Sequence, residues 1–383
     1  MKENSMIIQN GRIHDMVNRE PYVADILIRD GKIEAIGKDF SADAQVCDAS
    51  GKDIYPGFVD AHSHLGVSGY GIGFEGSDYN EINDINSPQM RGIDSVNPLD
   101  PAMKIAAKAG VTTVATGPGS ANALGGTWLA IKTTGICVDD MVVKDPIAMK
   151  CAFGENPKRC YKDKGNFARM STAAHLREML FKAQQYLAKK EAAGDDITKM
   201  PPFDFKMESL IPVIRKEIPL KAHAHQANDI LTAVRIAREF DLKMTLEHVT
   251  EGHLIADVLA RYDYPMAVGP SLTDASKFEL RNKSWETAGI LASRGCQVSL
   301  ITDHPFSLEE HLPAYAGLAV KAGMDPYEAL KAITINPAKH ILCDDRIGSI
   351  EKGKDADIVI YDGDLFDIRS SPQTVLINGE VIR

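Results

Sequence analysis

Eight short, largely apolar runs spaced through the middle of the chain constrain its fold more than any other feature. They are Phe58 to Leu65, Val111 to Gly117, Trp128 to Thr133, Pro146 to Gly154, Pro219 to His225, Met244 to Val249, Pro265 to Pro270 and Gln297 to Asp303. Each has the length of a strand. Helical periodicity follows several of them, at Ala227 to Phe240, Gly252 to Tyr262 and Trp285 to Ser293. A longer helix is predicted from Thr172 to about Ala193, with Leu176, Met179, Leu180, Ala183 and Leu187 on one face and Gly194 as its stop. That stripe is core packing. Eight parallel strands alternating with helices make a (β/α)8 TIM barrel, so an α/β fold of that kind is expected. Gly117 to Thr127 and Ile136 to Asp145 offer no clear helix, and irregular connections are expected there.

The two ends of the chain read differently. Met6 to Ile13 and Asp25 to Gly37 are short strands around Asn-Gly and Asp-Gly pairs, which two-residue hairpin turns favour. Ala356 to Asp364 and Val375 to Ile382 repeat the pattern. Both ends are therefore expected to pair into one small β-sandwich, 1–55 plus 344–383, with the barrel, 56–343, inserted between them.

The 383 residues are 44% hydrophobic and 25% charged, ordinary values for one large domain plus a smaller one. A net charge of -10 and the lack of a long Lys/Arg run argue against nucleic acid as a partner. No stretch reaches the length of a membrane span, and Met1 to Ser5 lack the apolar centre of a secretory leader. A cytoplasmic protein with no membrane partner is expected. The six cysteines (Cys47, Cys137, Cys151, Cys160, Cys296, Cys343) contain no Cys-X-X-Cys, which fits reduced, mostly buried thiols. Any bound metal would need nitrogen and oxygen ligands.

In a parallel barrel the C-terminal ends of the strands converge on one mouth, where chemistry collects. Metal-ligand residue types recur at four of those ends: His62 and His64 on the first strand, His223 and His225 on the fifth, His248 on the sixth and Asp303 on the eighth. Residues i and i+2 of a strand share a face, so each His-X-His aims both imidazoles one way. Two imidazoles at that spacing can hold one face of a divalent metal.

Pro56-Gly57-Phe58-Val59-Asp60-Ala61-His62-Ser63-His64, Gly110-Val111-Thr112-Thr113-Val114 and the histidines of strands five and six resemble the amidohydrolase superfamily. So do Thr302-Asp303-His304-Pro305, Ile333-Thr334-Ile335-Asn336-Pro337-Ala338 and Gly348 to Asp357. The likeness covers nearly the whole chain and is closest to the imidazolonepropionase-like and metal-dependent dipeptidase-like branch. It implies metal ligation by His62, His64, His223, His248 and Asp303; on strand five His223 and His225 compete for the ligand position, His223 is favoured, and His225, on the same strand face, would then be a substrate contact. Relatives that hold two metals often bridge them on strand four with a carboxylated lysine or a glutamate. Lys150 and Glu155 are the candidates, and Glu155 is preferred because it lies just past the strand end.

The implied cofactor is a divalent metal, zinc by preference, as one or two ions. Zinc brings the pKa of its water towards about 7 and polarises a carbonyl, while Asp303 takes the proton and passes it to a leaving nitrogen. The expected function is hydrolysis of a C-N bond in a small molecule: a cyclic amide, an N-acyl amino acid or a dipeptide. Alternatives are deamination of an aminated heterocycle on the same ligands and, less favoured, a non-catalytic assembly protein of this fold. Substrate contacts are expected from Ser120 and Asn122 in the Gly117 to Gly126 loop, and from Arg159 as a clamp for a carboxylate. The acidic segment Gly73 to Asp94 is a candidate cap or selector of a basic group. A homo-oligomer is a family-level expectation.

Overall fold

The structure is a computed structural model and describes residues 5–40, 43–71 and 73–383. The stretch read for a leader lies outside the described residues except for Ser5. The start of the chain supplies β1 (Ser5–Ile13), β2 (Tyr22–Arg29), β3 (Lys32–Gly37), β4 (Gln45–Asp48) and β5 (Asp53–Pro56). The middle supplies β6 (Phe58–Asp60), β7 (Val111–Thr116), β8 (Leu124–Lys132), β9 (Val142–Ala152), β10 (Leu220–Ala224), β11 (Met244–His248), β12 (Met266–Val268) and β13 (Val298–Leu300). The end supplies β14 (Ile358–Tyr361), β15 (Pro372–Ile377) and β16 (Glu380–Val381).

Strands from both ends share one mixed sheet, in the order β16-β15-β14-β5-β1-β2-β3, with β4 also paired to β1. They meet where β14 lies antiparallel to β5, Ile358 opposite Pro56 and Tyr361 opposite Asp53. Two of the hairpin signals are turns. Asp30-Gly31 joins β2 to β3 with φ of 48° and 77°, and Asn378-Gly379 joins β15 to β16 with φ of 50° and 75°, the positive pair that a type I′ turn demands. Asn10-Gly11 is a correction to the turn reading. It sits inside β1 at a register shift against β2, where the Asn10 amide donates to the Asp25 carboxylate at 2.8 Å. Met6, Ile8, Ile13, Ile26, Ile28, Ile54, Ile358, Ile360 and Leu376 pack into this sheet's own core.

All eight predicted middle strands are present, and they form a nearly closed barrel sheet in the order β6 to β13. One of them runs the wrong way for a uniformly parallel barrel: β8 is antiparallel to both β7 and β9. The reason is the missing helices. A parallel neighbour needs a crossover of about a dozen residues or more, whereas β7 and β8 are joined by 117–123, and the next link holds only the single turn Val138–Met141. The start of β8, not its end, therefore reaches the mouth.

The first and last strands meet through loop backbone beyond their ends. The Asp303 amide donates to the His62 carbonyl (3.1 Å), and the His64 amide donates to the His304 carbonyl (2.9 Å). The buried Asp60 carboxylate fastens this seam, accepting from the His62 amide, the Thr302 amide and the Thr302 hydroxyl, each at 2.8 Å. The long helix runs Arg169–Ala193 and buries the predicted stripe. All six cysteines are free, but only Cys151 and Cys343 are buried and Cys137 is exposed, so the mostly buried expectation holds for two of them. Among the described residues no helix is long and apolar enough to cross a membrane.

Candidate metal centre

Four imidazoles at the barrel mouth are each held through Nδ1. His62 meets Glu247 Oε2 at 2.7 Å, His64 meets the Gly117 carbonyl at 2.8 Å, His248 meets the Gly269 carbonyl at 2.8 Å and His225 meets Thr250 Oγ1 at 2.7 Å. A carbonyl only accepts, so His64 and His248 donate from Nδ1 and leave Nε2 with a free lone pair. His62 donates from Nδ1 to the Glu247 carboxylate in the same way, with its Nε2 facing Lys150. The fifth imidazole, His223, is buried with neither ring nitrogen hydrogen-bonded. Burial pushes all five below the ordinary histidine range, so they are neutral and able to ligate.

Candidate ligand atoms of His223, His225 and His248 lie within 4.8 Å of one another, as do those of His62, His248 and Asp303. His64 Nε2 is 3.4 Å from Asp303 Oδ1 and His62 Nε2 is 3.7 Å from the same oxygen. The two groups share His248. Two of these residues carry left-handed backbone, His248 with φ 72° and Asp303 with φ 52°, a region uncommon for non-glycine residues and most open to Asn, Asp and His. The orphaned nitrogens of His223 and the neutral N/O donor set fit a borderline divalent cation such as zinc.

Below the imidazoles lies a charge network of which the sequence reading missed Glu247, Lys221 and His340. Glu247 accepts from Lys221 Nζ at 2.8 Å, Thr245 Oγ1 at 2.6 Å and His340 Nε2 at 2.9 Å, besides holding His62. Burial alone would raise its carboxyl, but Lys221 and His340 hold it well below the usual carboxylate range. Lys221 also donates to the Ala61 carbonyl at 2.8 Å. Lys150, fully buried, places Nζ 3.1 Å from His62 Nε2, and burial lowers its proton affinity. Lys150 and Lys221 sit 4.9 and 4.8 Å from the centre of the Trp128 ring, which packs on His62 at 4.5 Å. Trp128 comes from the reversed strand. Asp303 moves the other way: burial raises its carboxyl, against the opposing charges of Lys150 and Lys277.

A cavity of about 460 Å³ opens over the centre, lined by His64, His223, His225 and Asp303 together with Ser120 and Arg159. That volume suits a small molecule. Tyr79 from the acidic segment stacks on His64 with ring centres 4.9 Å apart, so this segment does cap the site. Its acids do not line the cavity, and Asp84 pairs with Lys206 instead. Two predicted site residues fall elsewhere. Asn122 spends its amide group on the Asp84 carbonyl (2.8 Å) and Tyr161 Oη (2.9 Å), so it pins the cap and does not line the cavity. Glu155 joins neither ligand group among the described residues. The chain turns at Gly154 (φ 82°), and Glu155 opens the short helix Glu155–Cys160, its backbone amide donating to Glu279 Oε2 at 2.9 Å. Strand four reaches His62 through Lys150.

On strand five the two imidazoles differ in support. Thr250 anchors His225, whereas the His223 ring makes no hydrogen bond and packs among neighbouring imidazoles with Nε2 3.8 Å from Glu279 Oε1. His223→Ala is expected to lose metal more completely than His225→Ala, read by elemental analysis after dialysis. The opposite ranking would reassign the ligand.

The Amidohydrolase family profile matches residues 54–382. The chain belongs to the amidohydrolase family. This amidohydrolase superposes on a crystal structure of an amidohydrolase from Thermotoga maritima MSB8 with a TM-score of 0.95, at 41% identity over 99% of each chain. Amidohydrolase tasK of Hapsidospora irregularis is 28% identical over 389 residues, 94% of this chain but only 40% of that protein, so the chain spans less than half of that curated relative. A prolidase complexed with N-methylphosphonate-L-proline covers 99% of both chains with a TM-score of 0.62 at 17% identity, a likeness of fold alone. Family membership makes the chain a hydrolase of the amidohydrolase superfamily, whose members typically depend on a metal.

Proposed function

We propose that this amidohydrolase cleaves a C-N bond of a small molecule (a cyclic amide, an N-acyl amino acid or a dipeptide-like compound) at a centre of one or two divalent ions, zinc by preference. The observation that carries the reading is the convergence of five neutral imidazoles and Asp303 under one cavity. His62, His64, His223, His248 and Asp303 would hold the metal, with His225 close enough to join them. When bound, the metal supplies Lewis acidity and makes hydroxide available at neutral pH. Asp303 moves the proton: its carboxylate takes one from the attacking water and returns it to the leaving nitrogen, so that water and an amide become an acid and an amine. Burial suits it to keep the proton between those two events. Tyr79 and the rest of the cap keep bulk water out. Deamination of an aminated heterocycle would use the same residues, and ammonia release in a substrate screen separates it from amide hydrolysis.

Lys150, rather than Glu155, is the strand-four residue of this centre. Burial favours the uncharged form of the Lys150 amine beside His62, and that form is the one that would add carbon dioxide, releasing a proton, to give the carboxylated lysine found in relatives with two ions. Lys150→Met is expected to drop the metal content from about two ions per chain to about one or none, and Glu155→Gln to leave it unchanged. The reverse result would restore Glu155. The barrel, 56–343, carries this chemistry and the sheet, 1–55 plus 344–383, frames it. A cytoplasmic setting, a small-molecule substrate without nucleic acid or membrane partners, and a homo-oligomer complete the proposal. Protein purified without chelator should contain about one or two transition-metal ions per chain, and fully folded metal-free protein would sink the reading. A metal-supplemented screen of dipeptides, N-acyl amino acids, hydantoins, imidazolones and aminated heterocycles identifies the bond.

A further inference from the structure

One wall of the cavity carries a polar constellation that bond cleavage does not use. Ser120, Asn156, Arg159 and Lys277 all line it, from three separate segments of the chain. Asn156 Nδ2 donates to Ser120 Oγ at 2.8 Å, and Lys277 Nζ donates to Asn156 Oδ1 at 3.1 Å. Lys277 Nζ also lies 2.7 Å from Oε1 of the buried Glu279, whose other oxygen is fixed by the Glu155 amide. Lys277 is thus held in place from two sides, its side chain only 17% exposed. An ammonium has three N-H donors and no acceptor, so one donor is left for the cavity that Lys277 lines. Arg159 lies three residues beyond Asn156 on the same short helix, hence on the same face, and has no ion-pair partner among the described residues. The planar guanidinium suits a two-point contact to a carboxylate. The lining acids lie apart from this cluster in role: Asp303 belongs to the hydrolytic centre and Asp274 is exposed.

We propose that Lys277 and Arg159, with Ser120 and Asn156, form a subsite for a carboxylate carried by the substrate, so that the preferred substrates are acids rather than neutral amides. This rests on the hydrolase reading and narrows its substrate class. N-acyl amino acids, dipeptides with a free C-terminus and ring amides bearing a carboxylate satisfy it. Their neutral carboxamide or ester twins do not.

The test uses zinc-loaded full-length protein and matched probes, a panel of N-acetyl amino acids and the corresponding N-acetyl amino acid amides, with equilibrium binding measured by calorimetry and hydrolysis followed separately. The acid of each pair is expected to bind about tenfold to a hundredfold more tightly than its amide, as a charge-assisted contact implies. Lys277→Met and Arg159→Gln should each erase most of that difference by weakening the acid alone, with zinc content unchanged, and Lys277→Arg should keep part of it. Arg159 is exposed, so its variant decides the matter even if Lys277→Met, which leaves Glu279 unpaired, fails to fold. Equal binding of acid and amide, no binding of any acid, or equal losses for both in the variants overturns the subsite. Selective binding of acids with no hydrolysis of any probe leaves the subsite standing and counts against the hydrolase reading instead.

Discussion

Glu247→Leu is expected to cost about 3–5 kcal/mol of folding free energy, the usual consequence of removing one partner from a buried ion pair. Glu247 is fully buried, and among the described residues its carboxylate is the only counter-charge hydrogen-bonded to Lys221, which is itself 1% exposed. Without it an ammonium group would stay inside the barrel with a carbonyl and a tryptophan face for company. The loss is a large share of the roughly 5–15 kcal/mol that holds a typical protein together, so little folded Glu247→Leu protein should be recovered. Glu247→Gln separates the carboxylate's second task from this one. The amide keeps the shape but is a weaker acceptor for His62 Nδ1, and partners of that kind change metal affinity by about 10–100-fold. Denaturant unfolding should rank wild type above Gln above Leu, and chelator competition should show weaker metal binding in the Gln variant. Wild-type metal affinity in Glu247→Gln would remove Glu247 from the support of the centre.

Asp303→Asn is expected to lower turnover by about 10²–10⁴-fold, the range for losing a positioned acid or base. The substitution is gentle on the backbone: Asp303 sits at φ 52°, where asparagine is among the few residues at ease, whereas alanine would add strain. The asparagine amide cannot take a proton from water, while the imidazoles of His62, His64, His223 and His248 would remain to hold metal. Steady-state kinetics on a substrate from the screen, with metal content in parallel, decide the point. Near-normal turnover would give proton transfer to another group.

Much of the barrel was legible in the sequence because its strands are buried on both faces and show as apolar runs between turn residues. The direction of β8 was not, since an apolar run reads the same both ways; the absence of a helix on either side of it carried the information. Asp30-Gly31 and Asn378-Gly379 were readable because positive φ selects those residues, while Asn10-Gly11 satisfies the same preference inside a bulge. At the site, the i, i+2 spacing of strand residues announced His62/His64 and His223/His225. The same spacing puts Lys221 on the face of His223, but a buried lysine is unfavourable until its partner is known, and Glu247 comes from the next strand. Lys277 and Glu279 follow β12 in an irregular segment with no periodicity to reveal which way they point. Glu155 drew attention by type and position, yet the turn at Gly154 carries it past the centre, and Lys150, one residue type less expected indoors, is the strand-four side chain that stands beside His62.

The barrel seam has a consequence for how the molecule assembles. The β7-β8-β9 meander joins strands that are neighbours in the chain, so it can form early and carries Trp128 and Lys150 with it. The bonds from Thr302 to Asp60 span 242 residues and must wait for nearly the whole barrel to be in place. His62 and His64 stand on one bank of that seam and Asp303 on the other. The centre is therefore finished by the longest-range closure of the barrel sheet, and a metal ion held from both banks would act as the clasp of the ring.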